Sequence, residues 1–169
     1  MRQADKNALL EWERYKQNIA RDTPVDPGMS HAERERHRLY LEARPIEWIR
    51  FFCAPYVKSE FADFQKKAIR RICAADEWFE VLSWSRELAK STITMCIVLH
   101  LTLTGRKRNV ILTSNSKDNA VRLLGPYRAM LEANARINAY YGAQQSPGSW
   151  TDEEFITRHG VAFRALGAG

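Results

Sequence analysis

Cysteine is scarce in this chain and poorly placed for metal or disulfide chemistry. Cys53, Cys73 and Cys96 stand about twenty residues apart, with no CxxC pair and no histidine at ligand spacing. That pattern argues against a zinc site and a disulfide framework, and it fits a reducing, intracellular setting. Long apolar runs are missing too. The longest, residues 95–103 (MCIVLHLTL), is short and broken by His100 and Thr102, while the opening MRQADKNALLEWERYK is charged throughout. Neither a membrane span nor an export leader is expected. No internal repeat or low-complexity tract is present, and 45% hydrophobic with 27% charged residues excludes collagen-like, mucin-like and wholly disordered chains.

What remains is 169 residues, 45% hydrophobic and 27% charged, the balance of one ordinary globular domain with an appendage. Lysine and arginine exceed aspartate and glutamate by six, and the excess sits in the middle: residues 51–115 hold ten basic against six acidic side chains. A basic centre suits phosphate-bearing partners without identifying one.

The first twenty residues carry Leu9, Leu10, Trp12, Tyr15 and Ile19 at helical spacing, and the run TPVDPG at 23–28 ends that helix. Ser30 followed by Glu33 has the form of a capping box and opens a second, charge-dense helix that Pro45 should end. Residues 1–44 therefore read as an N-terminal helical arm and linker. The second helix is either a solvated face or a docking arm for another subunit or DNA.

From Pro45 the texture becomes aromatic (PIEWIRFFCAPYV), and a helix is expected from Ser59 to about Ala74 with Phe61, Phe64, Ala68, Ile69 and Ile72 on one face. Residues 79–84 (FEVLSW) read as a strand, Lys90 to about Thr104 as an apolar helix, and 109–114 (NVILTS) as a second buried strand. Strand, loop, helix and strand make a βαβ unit, so the fold class is α/β. Residues 117–134 look helical, 142–148 a polar loop, and EFITR with VAFRAL a hairpin about the two-residue turn His159-Gly160.

Between the first strand and the next helix lies Trp84-Ser85-Arg86-Glu87-Leu88-Ala89-Lys90-Ser91-Thr92, where a phosphate-binding loop belongs. A nucleoside triphosphate needs backbone N–H groups turned into one concavity, a lysine for the β and γ phosphates, and an adjacent hydroxyl for magnesium. Lys90 and Ser91 fill the last two roles, and Thr92 adds a contact to the α phosphate. The glycine-rich pattern GxxxxGK[ST] fails at Trp84 and Ala89, where it requires glycine. Upstream, Gln65 carries an amide that matches the N6 and N7 edge of adenine, beside Phe61 and Phe64, which serve equally well as core residues.

The runs FADFQKKAIRR, FEVLSWSRELAKSTITM, RNVILTSNSKDNAVRLL and FITRHGVAFRALGAG together resemble the ATPase domain of the large terminase subunits of tailed bacteriophages, over about residues 45–169. Members of that family use a deviant Walker A in which Ser-Arg-x-x-x-Lys-Ser/Thr replaces the glycine-rich form, and Ser85, Arg86, Lys90 and Ser91 match it in place. The resemblance implies a P-loop NTPase-like fold, partial and truncated before Walker B, with ATP and Mg2+ as cofactors. It makes Arg86 and Lys90 the catalytic pair, with Arg86 sensing or stabilising the γ phosphate. The loop Ser85, Arg86, Glu87, Leu88, Ala89, Lys90, Ser91 and Thr92 becomes the nucleotide cradle, with Gln65 in the adenine segment and Ser91 on the metal.

The implied function is translocation of double-stranded viral DNA into a procapsid, in the cytoplasm of the bacterial host and with no membrane. The implied partners are a portal protein, a small terminase subunit and further copies in a homo-oligomeric ring. The family's acidic Walker B strand and nuclease carboxylates do not follow within 169 residues. Asp152, Glu153 and Glu154 precede a hairpin and read as a solvated loop, so the chain alone is expected to form part of a nucleotide pocket without hydrolysing ATP. Two other readings stay open: a helicase-like P-loop ATPase acting on nucleic acid, and a non-enzymatic basic interaction module. Arg106, Lys107 and Arg108 form either a solvated turn or a DNA contact, and residues 113–116 (TSNS) read as the cap of the following helix.

Overall fold

The computed structural model describes residues 3–168. Among them run α1 (Gln3–Arg21), α2 (His31–Glu42), α3 (Pro45–Phe52), α4 (Asp63–Ala74), α5 (Lys90–Leu103), β1 (Asn109–Ser114), α6 (Lys117–Ala133), α7 (Ala135–Tyr141), β2 (Gln145–Trp150), β3 (Glu154–Thr157) and β4 (Ala162–Gly167). Among the described residues the fold is mixed α/β, with seven helices and one four-stranded sheet. The described residues divide into two compact units, residues 29–108 and residues 3–28 with 109–168.

The first unit is all helical. Ser30 caps α2 as the sequence predicts: its hydroxyl accepts from Glu33 N while Glu33 returns to Ser30 N at 2.9 Å. Pro45 occupies the first turn of α3, where a missing N–H costs nothing, so the proline that ends one helix begins the next. Trp48, Ile49 and Phe52 from α3, Ala68 and Ile69 from α4, and Ile93, Cys96 and Leu99 from α5 are buried together. Each fully buried large side chain is worth about 1.5–3 kcal/mol. α4 begins at Asp63, four residues later than expected, because residues 59–62 are not helical. Phe64 accordingly does not join the core: it is 40% exposed and meets Trp84 edge-on at 5.0 Å.

The expected strand at 79–84 does not form. These residues are extended but join no ladder, with Phe79 89% exposed. The run has the side chains of a strand, yet a strand is a property of pairs, and no neighbour supplies hydrogen bonds here. The βαβ reading fails with it. α5 is followed by β1, but no strand precedes it in the sheet.

The second unit holds the sheet, in order β1-β4-β3-β2, with β1 parallel to β4 and the other pairs antiparallel. Val110, Phe163, Ala165 and Phe155 are buried on the face that α6 covers. The opposite face is open, with Ile111 56% exposed, so β1 is half-buried rather than fully buried. α1 packs on α6 in this unit, and Thr23 ties the end of α1 to the start of α7, accepting from Ala135 N at 3.1 Å.

Two further expectations need correction. Residues 145–150 form the edge strand β2 rather than a loop; Pro147, Gly148 at φ 81 and an irregular register hid its periodicity. The β3–β4 turn has three residues, not two: Thr157 N donates to Val161 O, Gly160 N donates to Thr157 O, and Gly160 takes the left-handed position. At the end of β4 a Cβ on Gly167 would lie 2.7 Å from Lys117 N, so the strand approaches the start of α6 only with glycine there.

Candidate functional site

The loop ahead of α5 is built by two left-handed residues. Glu87 (φ 67) and Ala89 (φ 55, ψ 29) are the two non-glycine residues with positive φ among those described. Each left-handed non-glycine residue costs on the order of 1–2 kcal/mol, so the loop persists because its surroundings hold it. Ala89 stands where GxxxxGK[ST] places its second glycine, and it adopts the conformation for which glycine is favoured. Ala89 O then accepts from Ile93 N at 2.8 Å, starting the helix.

Lys90, the first residue of α5, is half-buried, and its ammonium turns back to donate to Trp84 O across the loop. The lysine thus bridges the two ends of the segment Ser85–Ala89. Gln65 braces it from outside: Nε2 donates to Leu88 O at 3.1 Å, and Oε1 accepts from Ala62 N at 2.9 Å. An amide has two N–H groups and two acceptor lone pairs, so one of each remains for a further partner.

Ser85, Arg86, Glu87 and Leu88 are exposed, Ser91 is exposed on the first turn of α5, and Thr92 is half-buried. Arg86 makes no ion pair with Glu87 or with any other described residue. The structure therefore brings the residues singled out for the nucleotide site, Gln65 included, to one end of the helical unit, around the start of α5. Two participants escaped the sequence reading. The carbonyl of Trp84 as the lysine's acceptor carries no side-chain signal, and the left-handed Glu87 has no residue preference to announce it.

The other candidate groups lie outside this loop. Arg106, Lys107 and Arg108 are exposed in the turn after α5, and there Arg106 donates to Ala75 O at 2.8 Å and to Cys73 O while Lys107 donates to Asp76 O, carbonyls at and just beyond the end of α4. Ser116 caps α6 by accepting from Asn119 N at 3.3 Å, the role expected for this polar loop. Asp152, Glu153 and Glu154 pair with Arg128, Lys117 and Arg164. The three cysteines are free and buried. Burial raises the Cys53 thiol well above its ordinary value and pushes Cys73 up to about 11.

No group of three or more potential metal-binding side chains occurs among the described residues, and no described helix is long and apolar enough to cross a membrane. Comparison with protein-family models, with curated proteins and with solved structures finds no match to this chain.

Proposed function

We propose that this chain carries the triphosphate-binding part of a P-loop-type ATPase motor, the N-terminal part of the ATPase domain of a terminase large subunit of a tailed bacteriophage. The observation that carries the reading is the pairing of a left-handed Ala89 with Lys90 opening α5 and reaching back over the loop. A phosphate tail is bound by amides that point inward and by the positive end of a helix, and a left-handed residue directly before the first turn is one way to turn amides so. The lysine's present acceptor is a neutral carbonyl, which a phosphate oxygen would outcompete because charge-assisted hydrogen bonds are stronger.

The residues present fit such a ligand. Lys90 would hold the β and γ phosphates, Ser91 the magnesium ion, and Thr92 the α phosphate. Gln65, with one donor and one acceptor free, would read the adenine edge while keeping Leu88 in place. Bound Mg·ATP supplies the phosphoanhydride whose hydrolysis would drive the motor. Arg86, exposed and unpaired among the described residues, is free to reach the γ phosphate and offset charge developing on it. The expected setting is an oligomeric ring in the host cytoplasm, with portal, small subunit and double-stranded viral DNA as partners.

The test is a titration with a non-hydrolysable ATP analogue, with and without Mg2+, on this chain and on Lys90→Ala. Saturable, magnesium-dependent binding that weakens by about ten-fold or more in the variant is expected, a change of about 1.4 kcal/mol or more. Absence of saturable binding, or equal binding by the variant, would overturn the reading.

A further inference from the structure

Five of the chain's six excess positive charges fall on the helical unit, where residues 29–108 hold fifteen basic and ten acidic side chains. Three of those basic side chains, Arg106, Lys107 and Arg108, are exposed in the turn after α5. Arg106 donates to Ala75 O at 2.8 Å, Lys107 donates to Asp76 O, and Arg106 lines a cleft of about 550 Å³ together with Arg70 of α4. Arg108 has no hydrogen bond or ion pair with any described residue. The turn and the last part of α4 thus carry one band of cations.

Next to that band stand two exposed aromatic side chains. Trp78 is 51% exposed and Phe79 89%, and neither ring packs on another ring among the described residues. A Cα step is 3.8 Å, so their Cα atoms lie within about 8 and 11 Å of that of Asp76, whose carbonyl Lys107 holds. The run is pinned along its length. Trp78 Nε1 donates to Glu80 Oε2 at 2.6 Å, Arg71 donates to Glu80 Oε1 at 2.7 Å, and Trp84 meets Phe64 edge-on. Large apolar side chains gathered in solvent and rimmed by charge mark an interaction surface, and one already ordered binds at lower entropic cost.

Three carboxylates lie in the same stretch. Glu80 is paired with Arg71, and Asp76 Oδ1 lies 3.5 Å from Arg106 Nη2. Among the described residues Glu77 is left without an ion pair, against three cations in the same position, Arg70, Lys107 and Arg108. The surplus is positive. A surface that joins ring faces to spare cations matches a polymer of flat rings and phosphates. A duplex keeps its bases stacked inside, so only unpaired bases can use Trp78 and Phe79.

We propose that Trp78 and Phe79, with Arg70 and the turn Arg106-Lys107-Arg108, form a binding surface for single-stranded nucleic acid. Bases stack on the two rings and the backbone phosphates lie along the cations. Every base has a π-face, so the surface tolerates any sequence. It uses no residue of the loop at Lys90 and stands or falls separately from nucleotide binding.

The probe is a fluorescein-labelled oligothymidylate of about twelve nucleotides, titrated with the whole chain by fluorescence anisotropy, with a duplex of the same length and heparin as comparisons. Saturable binding is expected at low salt, about ten-fold or more tighter than to the duplex. Its salt slope should be about −2, at roughly −0.7 for each of about three phosphates, and Lys107→Gln should flatten it by about 0.7. Phe79→Ala should weaken binding by about five-fold or more, while Phe79→Tyr keeps the ring and the affinity. Phe79 is almost wholly exposed, so both variants fold. Lys90→Ala should bind the strand as the parent chain does. No saturable binding, equal binding of duplex or heparin, indifference to Phe79→Ala, or a loss in Lys90→Ala would overturn the proposal, as would a dimer that Phe79→Ala dissolves and that binds no strand.

Discussion

Glycine in place of alanine usually costs a helix stability, yet Ala89→Gly, at the N-cap of α5, is expected to add it. Alanine held at φ 55 pays on the order of 1–2 kcal/mol that glycine does not. Against this, glycine's freer unfolded chain costs roughly 0.5–1 kcal/mol. At the N-cap, where Ala89 sits, glycine is also preferred over alanine. The balance is a gain of about 0.5–1 kcal/mol, read as a shift in the urea midpoint with the slope unchanged. Lys67→Gly measured against Lys67→Ala supplies the control. That position is exposed within α4, and there glycine should lose about 1 kcal/mol. If Ala89→Gly loses as much as the control, the left-handed turn is not there and the loop geometry is wrong.

Three other outcomes follow from packing and charge. His100 is neutral in the fold because burial lowers its pKa, so below the ordinary value of 6.5 the unfolded chain takes up a proton that the folded chain does not. Stability should fall as pH drops through that range, by at most about 1.4 kcal/mol per unit, and His100→Gln should remove this component in pH-dependent denaturation; an identical pH profile would contradict the burial. With Cys73 pushed up to about 11 and all three thiols buried, a disulfide reagent at mildly alkaline pH should label the native protein only as fast as it opens. Rapid labelling of any one thiol would refute that. Gly167→Ala places a carbon 2.7 Å from Lys117 N and should cost about 1–3 kcal/mol by thermal unfolding, whereas a neutral substitution would mean that β4 does not approach α6 so closely.

Much of the helical content was legible because its signals are local. Ser30 with Glu33 announced α2, Pro45 marked the boundary before α3, and the apolar run after Lys90 marked α5. The strands at 109–114, 154–157 and 162–167 were legible from short apolar runs and from the turn signal His159-Gly160 between the last two. What failed depended on partners. FEVLSW has strand composition but nothing to pair with, and QSPGSW lacks strand composition yet pairs because β3 offers an edge. The candidate site was readable as a list of side chains from Gln65 to Thr92. Its geometry was not, because the left-handed turn falls on Glu87 and Ala89, whose side chains give no hint of positive φ, and because the lysine's acceptor is a backbone carbonyl.

The central claim is that main-chain amides around Lys90 cup an anionic phosphate tail. Backbone amide shifts of the isotopically labelled chain, followed as a magnesium-bound ATP analogue is added, test it most directly. The account predicts that the largest shifts fall together on residues 85–92, with the Lys90 ammonium leaving Trp84 O for the ligand. Shifts scattered over the surface, or confined to exposed arginines elsewhere while residues 85–92 stay still, would contradict it.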